Sequence, residues 1–217
     1  MLILLKSGDI CHNPLFAIPF SLSPDPDYNM PMTRFIITDL DPGDEPAIRQ
    51  IAEILVAGFK RHWPRPWPDL ASALEEVRES FGEGRLSRVA RDAGGQVLGW
   101  IGGIRQYDGY VWELHPLVVH PGYQRQGIGR ALVAGLEAQV KARRGLTVML
   151  GTDDEDGMTS LSGVDLYPDV CAHIAAIRNL KGHPYEFYQR LGYTIVGVIP
   201  DANGPGKPDI LMAKKVA

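Results

Sequence analysis

At 217 residues, 45% of them hydrophobic and 22% charged, the chain has the composition of a soluble globular protein with one sizeable core, or a domain plus a tail. A formal net charge of -4 argues against general nucleic-acid binding and is compatible with a cationic small-molecule partner. Two cysteines, Cys11 and Cys171, exclude a disulfide framework and a four-thiolate zinc site, and no apolar run is long enough to span a bilayer.

The first residues, Met1 to Leu5, are apolar, but Lys6, Ser7, Gly8 and Asp9 interrupt them before a signal-peptide core can form, which predicts a cytoplasmic protein. Residues 1–32 hold no sustained period, and Ser23-Pro24-Asp25-Pro26-Asp27 reads as a turn-rich linker. They are expected to form a disordered or extended tail ahead of a single domain over 33–217. Met30 and Met32 stand just before the first patterned segment and offer an alternative start of translation.

From Phe35 the pattern becomes regular. Phe35–Thr38 reads as a strand and Asp41-Pro42-Gly43-Asp44 as a turn ending in a helix cap; Ile48, Ile51, Leu55 and Phe59 then mark one helix face. Trp63-Pro64-Arg65-Pro66-Trp67-Pro68 forbids helix or central strand, and its tryptophans read as core plugs or as a lid over substrate. A helix is predicted over Asp69–Ser80, followed by strands over Leu86–Arg91 and Gln96–Ile104 joined by a turn at Asp92–Gly95.

The centre of the chain is Trp112–Val119, an apolar strand with Pro116 inside it. A loop follows with Gln124, Arg125, Gln126, Gly127, Ile128, Gly129 and Arg130, opening a helix whose stripe is Ile128, Leu132, Leu136 and Val140. Outward N–H groups, the helix dipole and glycine together make an anion site. Arg130-Ala131 stands where a nucleotide-hydrolysing loop needs Lys-Ser/Thr, and Leu132 replaces the third glycine of a dinucleotide fingerprint, so both are set aside. Alternation along the strand puts Glu113, His115 and Leu117 on one face and Trp112, Leu114 and Val118 on the other; Pro116 should loosen the pairing near it.

Leu146–Leu150 is a short buried strand running into Gly151-Thr152-Asp153-Asp154-Glu155-Asp156-Gly157. Four consecutive carboxylates repel one another, so the loop is either solvated or satisfied by a cation. It lacks the alternating oxygen spacing of a calcium loop, and a polyamine would serve as well. Helices are predicted over Pro168–Arg178 and within His183–Tyr193, then strands over Thr194–Ile199 and Pro208–Val216. His120, His173 and His183 read as structural, and Cys171 has no adjoining base that would make it an acyl carrier.

The Gln-x-x-Gly-x-Gly loop after a strand resembles the pyrophosphate loop of the GNAT N-acetyltransferases. Trp112–Val119, Leu150-Gly151-Thr152-Asp153-Asp154 and His183–Tyr188 closely resemble the aminoglycoside 6'-N-acetyltransferases of that superfamily, and Asp165-Leu166-Tyr167, Asn179-Leu180, Asp201–Gly204 and Lys207-Pro208-Asp209 extend the likeness from Phe35 to the end. The resemblance implies an α/β (α+β) fold: a central mixed, mostly antiparallel sheet flanked by helices and splayed at its central strands.

It also implies acetyl-CoA as cosubstrate, no metal, a homodimer, and a cationic aminoglycoside as acceptor. Acetyl transfer to an amine needs a neutral amine, a stabilised oxyanion and a proton for the departing thiolate. By resemblance Glu113 orients the ammonium and takes its proton, a backbone N–H near Leu117 serves the oxyanion, and Tyr188 gives a proton to sulfur. His115 is divided between site member and structural residue. Leu117, Val118 and Val119 would lend backbone groups to the pantetheine arm, Gln124 to Arg130 would hold the pyrophosphate, and Trp63, Glu113, Asp153 and Asp154 would meet the substrate. The rivals are an acetyltransferase of another amine, such as a polyamine or protein terminus, and a catalytically idle CoA-binding module.

Overall fold

The computed structural model describes residues 34–217; the expected tail and the alternative start at Met30 or Met32 lie outside the described residues. Seven strands form one sheet in the order β1-β2-β3-β4-β5-β7-β6: β1 Phe35–Asp39, β2 Arg85–Asp92, β3 Val97–Gln106, β4 Val111–Val119, β5 Thr147–Asp153, β6 Thr194–Ile199 and β7 Asp209–Lys215. Every pairing is antiparallel except β4 with β5. That parallel pair is short, joining Val111, Trp112 and Glu113 to Thr147, Val148 and Met149. Beyond Glu113 the two strands part, which is the expected splay.

Helices cover both faces. Helix α1, Glu45–Phe59, starts at Asp44, whose carboxylate accepts the Ala47 N–H at 3.1 Å and so satisfies a donor the helix cannot. Helix α2, Leu70–Glu79, repeats the device with Asp69 and Ser72 at 2.9 Å. Both helices pack on one core with Trp100 and Val118; α3, Ile128–Ala142, buries Ile128, Leu132, Val133, Leu136 and Val140 in a second core with Trp112 and Leu114. Each fully buried Leu or Ile contributes about 1.5–3 kcal/mol by leaving water. Among the described residues no helix is long and apolar enough to cross a membrane.

Two expectations need correction. The helix predicted over Pro168–Arg178 shrinks to a 3-10 turn at Tyr167–Asp169 and the short α4, Val170–Ala175, because Asp169 caps at Ala172 and the chain turns away after Ala176. The second correction concerns β4. Its ladder with β3 pairs Gly103 with Leu114 and resumes at Ile101 with Leu117, so His115 and Pro116 together stand against Gly102. The peptide between them is cis. One extra residue in a strand sends every later side chain to the other face. Trp112 and Leu114 lie in the α3 core, and beyond the bulge Leu117 and Val119 pack there too, while Val118 joins the α1–α2 core. Leu117 therefore does not share a face with Glu113. The final helix of the chain, α5, is Tyr185–Arg190.

Candidate active site

Where β4 and β5 part, a cavity of about 660 Å³ opens. It is lined by Leu114–Val119 of β4, the loop before α3 with that helix's first residues, Gly151–Asp153 at the end of β5, Phe187 and Tyr188 of α5, and Trp63 and Trp67. Of the loop residues singled out in the sequence, Gln124, Arg125, Gly127, Ile128, Gly129 and Arg130 line it and Gln126 does not.

The loop is shaped as an anion seat by its backbone. Arg125 and Gly127 have left-handed φ of 60° and 83°, and Gly127 caps α3 with no side-chain bond. The first helical bond runs from Ala131 N–H to the Gly127 carbonyl at 3.0 Å, so the N–H groups of Ile128, Gly129 and Arg130 have no acceptor within the helix. Their partial positive charge and the dipole of a 15-residue helix face the cavity beside Arg125 and Arg130, neither of which forms an ion pair among the described residues. This donor set fits a pyrophosphate.

Across the cavity, Tyr188 is 8% exposed, its ring edge-on to Phe187 at 5.0 Å and to Tyr193 at 5.8 Å. Burial pushes its phenol well above the usual tyrosine range, so it keeps its proton and can give one. His115 lines the cavity with its ring 6.1 Å from that of Trp67. Glu113 is half-buried, its Oε2 accepting from Gln106 Nε2 at 3.1 Å, and does not itself line the cavity. Leu117, Val118 and Val119 do, on the stretch of β4 freed from β5.

The acidic run is satisfied mostly from within the chain. Asp154 is 0% exposed and accepts the N–H groups of Met158 and Thr159 at 2.6 and 2.7 Å. It builds the loop and is removed from the substrate-contacting set, since a sealed carboxylate with two donors has no face left for a cation. Glu155 meets Arg65 at 3.3 Å and Lys207 at 3.9 Å, and Asp156 meets His62 at 2.7 Å. Asp153 alone of the four lines the cavity, with Asn203 Nδ2 on its Oδ1. Its main-chain carbonyl accepts from Trp63 Nε1 at 3.1 Å and from His183 Nε2 at 3.0 Å. His183 Nδ1 accepts the Tyr185 N–H, which places the ring proton on Nε2, and burial holds the imidazole neutral by lowering its pKa. Trp63 is thus fastened at the cavity wall, while Trp67 is a plug against Phe59 at 4.6 Å that also reaches the lining.

Asp209 carried no assigned role in the sequence, although its motif belonged to the family likeness. It stands opposite Asp153 in the β5–β7 ladder, with a buried Oδ1 that has no hydrogen-bond partner. Burial first, then the charges of Asp153 and Glu113, push its carboxyl up to about 6. Asp153 and Asp209 thus stand opposite one another at this end of β5 under the added charge of Glu113, and a cation there would relieve their repulsion.

Comparison with known proteins gives matches over most of the chain. The model of the acetyltransferase (GNAT) family matches residues 48–161. A crystal structure of an aminoglycoside 6'-N-acetyltransferase complexed with coenzyme A is 44% identical with a TM-score of 0.78, the match covering 84% of this chain and 97% of that one. The aminoglycoside 6'-N-acetyltransferase from Enterococcus faecium is 42% identical at a TM-score of 0.75, and an aminoglycoside 6'-acetyltransferase type Ii is 38% identical at 0.65, both with coverage of 84% and 97%. Comparison with curated protein sequences gives no match.

Proposed function

The chain belongs to the GNAT acetyltransferase family, and on that footing we propose that it transfers acetyl from acetyl-CoA to the 6'-amine of aminoglycosides. The observation that carries the reading is the meeting, in one cavity, of an anion-seating helix terminus with the acidic end of β5. The first suits the cofactor's pyrophosphate and the second a polycationic amine. Similarity over 84% of the chain to two enzymes described as aminoglycoside 6'-N-acetyltransferases narrows the amine.

In this reading acetyl-CoA supplies an activated acetyl thioester. Ile128, Gly129 and Arg130 N–H groups with the Arg125 and Arg130 side chains hold its pyrophosphate, and the unpaired edge of Leu117–Val119 lies along its arm. Glu113, reached through water, takes a proton from the substrate ammonium. The amine nitrogen bonds to the acetyl carbon, the carbon–sulfur bond breaks, and Tyr188 protonates the sulfur and is reprotonated from solvent. A backbone N–H near Leu117 donates to the acetyl oxygen as charge develops on it. Asp153 draws the substrate's other amines. A homodimer, which the resemblance implies, would find uncovered apolar side chains at Val196 and Ile199 of β6, 63% and 48% exposed at the sheet edge.

The test is steady-state turnover with paired aminoglycosides that carry either an amine or a hydroxyl at the 6' position. Turnover of the amine alone is expected; equal rates on both would reject the regiochemistry.

A further inference from the structure

A second concavity, of about 460 Å³, lies at the other end of α3 from the cavity described above, among Gly84, Arg85, Arg105, Asp108, Gly109, Tyr110, Trp112, Arg143 and Arg144. Fifteen residues of helix separate the two, roughly 22 Å at 1.5 Å per residue. Four guanidinium groups surround it, against one carboxylate.

The arginines of the described chain sort into those held by a carboxylate and those that are not, and four of the second set gather here. Arg49, Arg65, Arg78, Arg88, Arg91 and Arg190 each sit on a carboxylate. Among the described residues Arg85, Arg105, Arg143 and Arg144 form no ion pair, a property shared by Arg125 and Arg130 at the α3 N-terminus and by Arg34, Arg61 and Arg178, the last three lining neither of the two cavities. In a chain of net charge -4, acidic partners are not scarce. Guanidinium groups gathered without ion-pair partners leave donors for an external anion.

The wall is also built rather than fluid. A Cβ at Gly84 would meet the Arg105 Cβ at 3.2 Å and one at Gly109 would meet its Nε at 2.7 Å, so the bare glycines let the Arg105 side chain lie in a slot. There its Nη2 donates to the Asp108 carbonyl at 2.6 Å. Tyr107, Asp108 and Gly109 are consecutive left-handed residues, φ 45°, 57° and 92°, a costly turn that presents that carbonyl. The negative end of the α3 dipole is met separately, by Arg143 donating to the Gln139 carbonyl at 3.1 Å and to the Gln139 side-chain oxygen. That leaves Arg85, Arg144 and the fixed Arg105 facing the opening, beside Tyr110 at 61% exposure.

We propose that this concavity is a second anion site, taking an oligophosphate between Arg85, Arg105 and Arg144. Trp112 is its reporter, because its indole N–H donates to the Gly109 carbonyl at 3.2 Å on the wall. The full chain, with CoA at saturation to fill the other anion seat, is titrated with inorganic tripolyphosphate and, separately, with ATP, while the Trp112 indole resonance is followed by NMR. Saturable shifts are expected in both titrations. Tighter ATP binding would point to a nucleotide stacked on Tyr110, and equal affinities to the phosphate chain alone. R85Q and R144Q should each weaken binding about tenfold, the loss of one charge-assisted pair, and leave acetyl-transfer turnover unchanged. No shift at millimolar tripolyphosphate with CoA bound, or affinities indifferent to both substitutions, would overturn the proposal.

Discussion

Replacing Asp209 by Asn tests the electrostatics of the cleft through stability alone. The Asp209 carboxyl rises from an ordinary 3.8 to about 6 in the folded chain, so between those values the native state binds more protons than the unfolded one, and stability falls as pH rises through that window. At about 1.4 kcal/mol per pH unit the full cost approaches 3 kcal/mol, and solvent reaching the partly exposed carboxylate reduces it to roughly 1–2 kcal/mol. D209N should therefore be more stable than the parent by about that amount at pH 7.5, with most of the gain lost by pH 4 and the rest below the unfolded value of 3.8, where Asp209 becomes protonated in both states. His183, whose pKa burial lowers, loses stability as pH falls below its unfolded value, but it is present in both proteins and cancels in the difference. Urea denaturation of the pair at pH 4, 5, 6 and 7.5 reads the effect. A pH-independent difference, or a less stable variant at pH 7.5, would refute the argument.

Conservative changes at the proposed proton-transfer groups should lower kcat with little change in fold: E113Q and Y188F each by about 10²-fold or more, measured as acetyl-CoA turnover beside a circular dichroism spectrum. Gly127→Ala puts a side chain on a φ of 83°, costing roughly 1–2 kcal/mol, and should raise the KM for acetyl-CoA more than it lowers the melting temperature. Gly102→Ala would drive a Cβ into the His115 carbonyl across the β4 bulge. Overpacking of about 1–3 kcal/mol is expected in denaturant titration, together with loss of turnover as the bulge shifts.

Much of the fold follows from local pattern. The 3.6-residue stripes of α1, α2 and α3, the caps at Asp44 and Asp69 and the glycine loop before α3 are each contained in a few adjacent residues, so the sequence exposes them. The bulge in β4 is different. Pro116 announces weakened pairing, but whether the strand merely loosens or gains an extra residue depends on Gly102 of the neighbouring strand, which allows the His115 carbonyl to approach. That change of phase moved Leu117 to the opposite face. Asp153 and Asp154 look alike in sequence, and only the turn back through Met158 and Thr159 seals one while the other faces the cavity. Asp209 was hidden for the same reason: its meaning comes from lying opposite Asp153 across a ladder formed by residues more than fifty positions apart.

The central claim is that the amine held at the acidic end of β5 is the 6'-amine of an aminoglycoside. Incubation with acetyl-CoA and kanamycin, followed by NMR of the isolated product, locates the new acetamide. A single acetyl group on the 6' nitrogen is the predicted product; acetylation at another amine, or none while the protein still binds CoA, would contradict the account.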